Sequence, residues 1–360
     1  MRTTLALGVL LLNLLPTDVT ALSTPKGAVA GNSLFRQTGL LARRRMELSA
    51  ASTALQGGPA DDSEDASKKL PRAEGPFNPG PEITFGSSGL KMNLFGMIYG
   101  TVAIIGGIFW WLALKTCDLF YKLVGDKIDV NRRIPVVISQ IWGIVVMTLM
   151  GCYPKITGGE NLDTIFKGNK GKQGGDRTPI MLCANHVSWM DIPFIAVAIG
   201  WRNYKIIAKQ ELLKVPILKN SLKTSKHVML DRSSRRSQMN TFKQGVKYLK
   251  DGVNLVTFPE GTRSRDGRMG SFKAGAFKMA EREGAPIVPL SIRYAHKVQP
   301  IEYVWPVRPG RSIGASIHIG KPIYPEGKSD EEVMKLVWEG IAKNLPESQK
   351  PSPGTPVAVQ

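Results

Sequence analysis

Histidine and cysteine are scarce in this chain. Among 360 residues there are four histidines and three cysteines. Cys117, Cys152 and Cys183 lie in apolar contexts and show no C-x-x-C spacing. An odd, scattered set of thiols argues against a disulfide scaffold and against a structural zinc site. Acids are also short, with 29 Asp and Glu against 48 Lys and Arg, a formal net charge of +19. So basic a protein expects an anionic partner: nucleic acid, an anionic membrane surface or a phosphorylated substrate. Nucleic acid is excluded as the reading because no helix-turn-helix, zinc finger or RNP-like aromatic block is present. No repeat at a solenoid period occurs. What is present, 42% hydrophobic and 21% charged residues, is the balance of a folded protein and not of a disordered one.

The first 75 residues read as an address. Behind Arg2 runs an apolar stretch from Leu5 to Leu15, and Val19-Thr20-Ala21 puts small residues at the positions of a cleavage site. Residues 1–21 are therefore read as a signal peptide. From Leu22 to Ala60 there are five basic residues (Lys26, Arg36, Arg43, Arg44, Arg45) and one acid, Glu47, among many Ser, Thr, Ala and Gly. A basic, acid-poor, Ser-rich stretch resembles a transit peptide. Residues 22–75 are thus a transit-like targeting segment and linker, turning acidic and then Pro-rich after Asp61. The tandem predicts two-step import into the plastid of a complex-plastid alga, with the endoplasmic reticulum as the alternative.

Residues 90–153 hold two apolar stretches, read as membrane helices. Leu94 to Leu114 is uncharged, is bracketed by Lys91 and Lys115, and carries Tyr99, Trp110 and Trp111 toward its ends. That length suits a bilayer helix with interfacial aromatics. Ile134 to Tyr153 is more polar, with Ser139, Gln140 and Thr148. The charged linker between them runs from Thr116 to Arg133. Either both helices span as a hairpin or both dip into one leaflet; the basic flanks suit anionic headgroups in either case.

Residues 154–345 alternate short apolar runs with helical periodicities, as in Pro179 to Ala184 followed by Asp191 to Gly200, or Arg235 to Lys250 followed by Asn254 to Phe258. That alternation predicts an α/β domain, a mixed sheet flanked by helices. The tail, 346–360, is Pro- and Ser-rich and is expected to be disordered.

Two motifs carry chemistry. In Asn185-His186-Val187-Ser188-Trp189-Met190-Asp191 a histidine at a strand end has a carboxylate five residues on. If the chain turns between them, Asp191 fixes the tautomer of His186 and the ring acts as a general base. Ser188 has no G-x-S-x-G elbow around it, which argues against a nucleophilic serine. Alone, the pair is a weak signal. In Phe258-Pro259-Glu260-Gly261-Thr262-Arg263-Ser264 a strand end presents amides, a hydroxyl and a planar guanidinium, a set suited to phosphate. Glu260 is the odd member: it either orients Arg263 or binds a substrate hydroxyl. Lys209, Arg232, Lys273 and Lys278 add positive charge along the same region. His227, His296 and His318 have no acid at the same offset and are read as structural or surface residues.

His186 to Asp191, Leu230-Asp231-Arg232, Phe258 to Ser264 and Ala285 to Leu290, in this order and spacing, resemble the four sequence blocks of the glycerolipid acyltransferase family. They are most similar to the blocks of its 1-acylglycerol-3-phosphate acyltransferases. The likeness covers roughly 94–344 and is most specific in the third block, which runs on through Phe272-Lys273-Ala274-Gly275. The second block departs mildly, reading Met229-Leu230-Asp231-Arg232. The resemblance implies that His186 and Asp191 are catalytic, and that Glu260, Gly261, Thr262 and Arg263, with Lys209 and Arg232, hold the acceptor phosphate. It implies transfer of a fatty acyl group from acyl-CoA or acyl-ACP to the sn-2 hydroxyl of lysophosphatidic acid, a membrane lipid, giving phosphatidic acid. It implies no metal and no bound cofactor. The alternatives are another lysophospholipid or glycerol 3-phosphate as acceptor and, more distantly, a non-catalytic protein that binds anionic membranes.

Overall fold

The computed structural model describes residues 78–85, 89–170, 176–214 and 216–358. The expected signal peptide and transit-like segment lie outside the described residues. In chain order the elements are β1 (Glu82–Phe85), β2 (Leu90–Asn93), α1 (Leu94–Val124), α2 (Arg133–Leu149), β3 (Lys155–Thr157), α3 (Glu160–Gly168), β4 (Met181–Ala184) and α4 (Asp191–Ile199). They continue as β5 (Tyr204–Lys209), α5 (Pro216–Thr224), β6 (Val228–Leu230), α6 (Arg235–Lys250), β7 (Asn254–Thr257), α7 (Gly275–Arg282), β8 (Ile287–Arg293), α8 (Ala295–Val298), β9 (Ser316–Ile319) and α9 (Asp330–Ala342).

The expected mixed sheet is present. Its seven strands lie in the order β3-β9-β8-β4-β7-β5-β6, parallel throughout except where β8 meets β9. Strands covered on both faces read as unbroken apolar runs, and β4 (Met-Leu-Cys-Ala) is buried at every position. Its side chains alternate between two cores, as a period of two requires. Leu182 and Ala184 join Trp110, Ile144, Phe194 and Leu222 of α1, α2, α4 and α5. Met181 and Cys183 join Leu249, Phe277 and Val337 of α6, α7 and α9. The short strand β3 and the helices α3 and α5 carry too little periodic signal to be read from sequence.

The first apolar helix is longer than expected. Thr116 to Val124, expected as linker, continues α1, because no Gly or Pro interrupts the run until Gly125 takes a φ of +84°. At 1.5 Å per residue α1 is about 46 Å long, and the 17-residue α2 only about 25 Å. Asn93 starts α1: its Oδ1 accepts from the Gly96 amide at 2.8 Å, while its Nδ2 donates to the Val307 carbonyl at 2.8 Å. Asp129 starts α2, accepting from the amides of Arg133 at 2.7 Å and Ile134 at 2.8 Å. Small residues set the packing. A Cβ at Gly106 would overlap the Trp142 ring, and one at Gly100 would lie 2.6 Å from Nε1 of Trp305.

One stripe of α1, Tyr99, Ala103, Trp110 and Leu114, is buried, and the other face is bare apolar surface, including Ile98, Ile105, Phe109, Leu112 and Leu123. Both ends of α1 dock on the α/β domain. Tyr99 packs on Trp305 with ring centroids 5.9 Å apart, and the Thr224 hydroxyl donates to Asp118 at 3.1 Å.

The tail departs from its expected disorder. Gln349 is fully buried and bridges the end of β8, accepting from the Tyr294 amide at 2.7 Å and donating to the Ile292 carbonyl at 3.2 Å. The Met269 amide donates to the carbonyl of Gln349, and the Phe272 amide to that of Val357. Prolines and serines do not prevent order when the segment's polar groups complete the pairing of a neighbouring loop.

Candidate active site

The strands β4 and β7 are neighbours, with Cys183 paired to Thr257. The chain therefore leaves both strands at the same sheet edge, side by side, where open α/β sheets hold ligands. Asn185 fixes the first exit, exchanging hydrogen bonds with the backbone of Ile292 on β8 at 2.7 and 3.0 Å. His186 then meets Phe258 face to face, ring centroids 3.9 Å apart and 17° from parallel.

The turn expected between His186 and Asp191 is formed. Asp191 is the first residue of α4 and is fully buried. Its Oδ2 accepts from His186 Nδ1 at 2.8 Å, from the Val187 amide at 2.7 Å and from the Ser188 amide at 2.9 Å. A carboxylate so placed holds the proton on Nδ1 and presents Nε2 as the basic nitrogen. Nε2 has no partner among the described residues, and the side chain is 18% exposed. Ser188 is buried and its hydroxyl donates to the Gln299 carbonyl at 2.8 Å, which accounts for it structurally.

Glu260 does not stand where the phosphate-binding expectation puts it. Its Oε1 accepts from the His186 amide at 2.8 Å and its Oε2 from the Gly270 amide at 2.9 Å. The carbonyl of His186 accepts from the Ser264 amide at 2.8 Å. The loop after β7 thus grips His186 at its ring face, its N–H and its C=O. Burial raises the Glu260 carboxyl to about 7, against the lowering effect of the two amides. A carboxylate turned toward a phosphate would repel it; turned inward, it orders the loop.

The rest of that loop does fit an anion. The Gly261 amide donates to the Phe258 carbonyl, and Gly261 has a φ of +78°. After this turn the amides of Thr262 and Arg263 have no partner among the described residues. Nη1 of Arg263 is buried and also has none. Burial lowers the Arg263 guanidinium below its ordinary value, and the Asp191 carboxylate opposes that shift. Lys273 lies against the turn, its Nζ 3.6 Å from the Cβ position of Gly261. It belongs to the third sequence block, and only the packing puts it beside Gly261. Trp189 and Phe258 also sit inside the sequence blocks as ring partners of Arg263 and His186, which only the packing reveals.

Lys209 and Arg232 end at the same edge, after β5 and β6. Strands are spaced about 5 Å apart, so Lys209 is one strand from the Arg263 loop and Arg232 is two strands from it, about 10 Å away. Nζ of Lys209 is now 3.0 Å from Glu211, and both side chains are half exposed. Arg232 is exposed. An apolar cavity lies behind the edge, bounded by Val136 of α2, Ile192 of α4, Ile206 of β5 and Leu222 of α5, with Trp189 in its wall.

Residues 154–293 match the family model described as Acyltransferase. The chain is 30% identical over 226 residues to a chloroplastic 1-acyl-sn-glycerol-3-phosphate acyltransferase of Brassica napus, over 62% of this chain and 58% of that protein. It is 32% identical over 168 residues to a 1-acyl-sn-glycerol-3-phosphate acyltransferase of Chlamydomonas reinhardtii, over 47% and 49%. The chain therefore spans about half the length of these curated relatives. The crystal structure of the 1-acyl-sn-glycerophosphate (LPA) acyltransferase PlsC from Thermotoga maritima superposes with a TM-score of 0.52 at 25% identity, over 69% of this chain and 94% of that one. The span matched by the family model takes in His186, Asp191, Arg263 and Lys273.

Proposed function

We propose that this protein transfers a fatty acyl group from an acyl thioester to the sn-2 hydroxyl of lysophosphatidic acid, giving phosphatidic acid. The single observation that carries the reading is the His186 pair: Nδ1 held by buried Asp191 and Nε2 free. It lies on the strand exit beside that of the loop holding Arg263. Nε2 takes the proton of the acceptor hydroxyl and the alkoxide oxygen attacks the thioester carbonyl carbon. Asp191 stabilises the imidazolium. Collapse of the tetrahedral intermediate breaks the carbon–sulfur bond, and the thiolate takes the proton back from Nε2. Arg263, Lys273 and the free amides of Thr262 and Arg263 receive the acceptor phosphate, with Lys209 released from Glu211 to join them.

Membrane access fits the same reading. A helix docked on the α/β domain at both ends cannot cross a bilayer without drawing that domain in. Bilayer insertion of the bare face of α1 into one leaflet leaves the basic residues Lys115, Lys122, Lys127, Arg132 and Arg133 at the headgroups. The relative from Brassica napus is named chloroplastic, in keeping with a plastid address. Fused to a fluorescent protein, residues 1–60 are expected to direct it to a plastid; a reticular pattern overturns that address.

The test of the reaction uses detergent-purified protein and labelled oleoyl thioester on coenzyme A or on acyl carrier protein. Lysophosphatidic acid, other lysophospholipids and glycerol 3-phosphate are offered in parallel. Labelled phosphatidic acid should form and should fall by roughly 10²- to 10⁴-fold in His186→Ala. Preference for another acceptor reassigns the substrate, and undiminished transfer by the variant refutes the base.

A further inference from the structure

Arg263 is held in an unusual way. Among the described residues no carboxylate or carbonyl accepts from its guanidinium, and its Nη1 is buried without a partner. Its Cζ lies 4.4 Å from the centroid of the Trp189 ring. A buried arginine normally takes its orientation from an acid. Here an acid would compete with the anion the site is built to receive, whereas an aromatic face attracts the cation and leaves every N–H free.

Trp189 has a second neighbour. It stands in the wall of the apolar cavity with Val136, Ile192, Tyr204 and Ile206. It also sits in the turn between His186 and Asp191, whose backbone is fixed by the carboxylate of Asp191. One ring therefore touches the cavity on one side and the guanidinium on another, from a backbone that cannot drift relative to His186.

We propose that Trp189 is a positioning residue that aims the Arg263 guanidinium at the acceptor phosphate by stacking. The inference deepens the function proposed above and rests on it for the identity of the acceptor. It does not require that transfer occurs: any glycerol phosphate headgroup is the ligand class the stacked guanidinium takes.

The test uses the full chain in detergent with Trp189→Leu, Trp189→Phe, Arg263→Ala and the Leu/Ala double variant. Leucine keeps an apolar cavity wall and removes the π face; phenylalanine restores the face. Trp189→Leu should raise the acceptor KM roughly 3- to 10-fold, the size of one partly buried cation–π contact, with kcat little changed. Trp189→Phe should return KM to within about 2-fold of the wild type. In the Arg263→Ala background the leucine substitution should add less than about 2-fold, since the partner it acts through is gone. A full effect of leucine without Arg263, or an equal loss with phenylalanine, overturns the proposal. A second readout is independent of catalysis: protection of each variant from thermal unfolding by glycerol 3-phosphate. It should be strong in wild type, lost in Arg263→Ala and weakened in Trp189→Leu. If transfer fails but this pattern holds, the acceptor reaction is wrong and the positioning role stands. If glycerol 3-phosphate protects Trp189→Leu as well as wild type, the positioning role falls.

Discussion

Glu260 sits in a block proposed to hold the acceptor phosphate, yet its own two oxygens accept from the amides of His186 and Gly270. The structure thus turns an expected substrate contact into a support for the proposed base. Because the carboxylate acts through His186, Glu260→Gln should lower kcat by about 10- to 100-fold, the cost of a misplaced catalytic group, and leave the acceptor KM nearly unchanged. A large rise in KM would return Glu260 to the phosphate site. The same residue sets a pH dependence. Its carboxyl is raised to about 7 from 4.5, so the folded protein binds the proton more tightly than the unfolded chain. Its contribution to stability is full below about pH 4.5 and is lost as the pH rises through 7, by roughly 3 kcal/mol in all. Thermal unfolding of the wild type between pH 5 and 8 should therefore fall off more steeply than that of Glu260→Gln; parallel curves would assign the dependence elsewhere.

Among the elements, α1 carries the proposed contact with a lipid surface. Its outward face, with Phe109 68% and Leu112 50% exposed, is apolar enough that water is a poor neighbour for it. Burying one such side chain is favourable by roughly 1.5–3 kcal/mol. Phe109→Glu with Leu112→Glu should release the protein from sedimenting anionic vesicles while leaving its unfolding midpoint in detergent within about 2 °C, because neither residue packs on the domain. Undiminished sedimentation would place the contact on another surface. The inner face is under the opposite constraint. Trp142 lies on Gly106 and Trp305 on Gly100, so small residues there serve close packing against this protein's own aromatics.

At the scale of the whole molecule, one end of the chain closes the fold. Gln349 reaches Ile292 and Tyr294, and its carbonyl and that of Val357 take the amides of Met269 and Phe272, in the segment that also supplies Gly270 to Glu260. Removing residues 346–360 should lower the unfolding midpoint by roughly 5–10 °C through lost buried hydrogen bonds, and should reduce turnover by loosening the Gly270 end of the Glu260 clamp. An unchanged midpoint would mean that the tail contributes nothing to the folded state.

Local order was legible in the sequence. The span of α6 comes directly from periodicity, and the His186–Asp191 turn from two residue types at one spacing, because a few consecutive residues determine each. The α/β class follows from alternation, and a long apolar helix from an uncharged run. What required the tertiary structure is everything that joins distant residues. His186 and Glu260 are 74 positions apart and meet only because β4 and β7 are adjacent in the sheet. Trp189 finds Arg263, and Phe258 finds His186, for the same reason. The tail's order and the single-sided docking of α1 are likewise properties of surfaces that exist only once the sheet is covered. Sequence spacing reports which groups a strand end presents. Strand order and register decide which of those groups share a site.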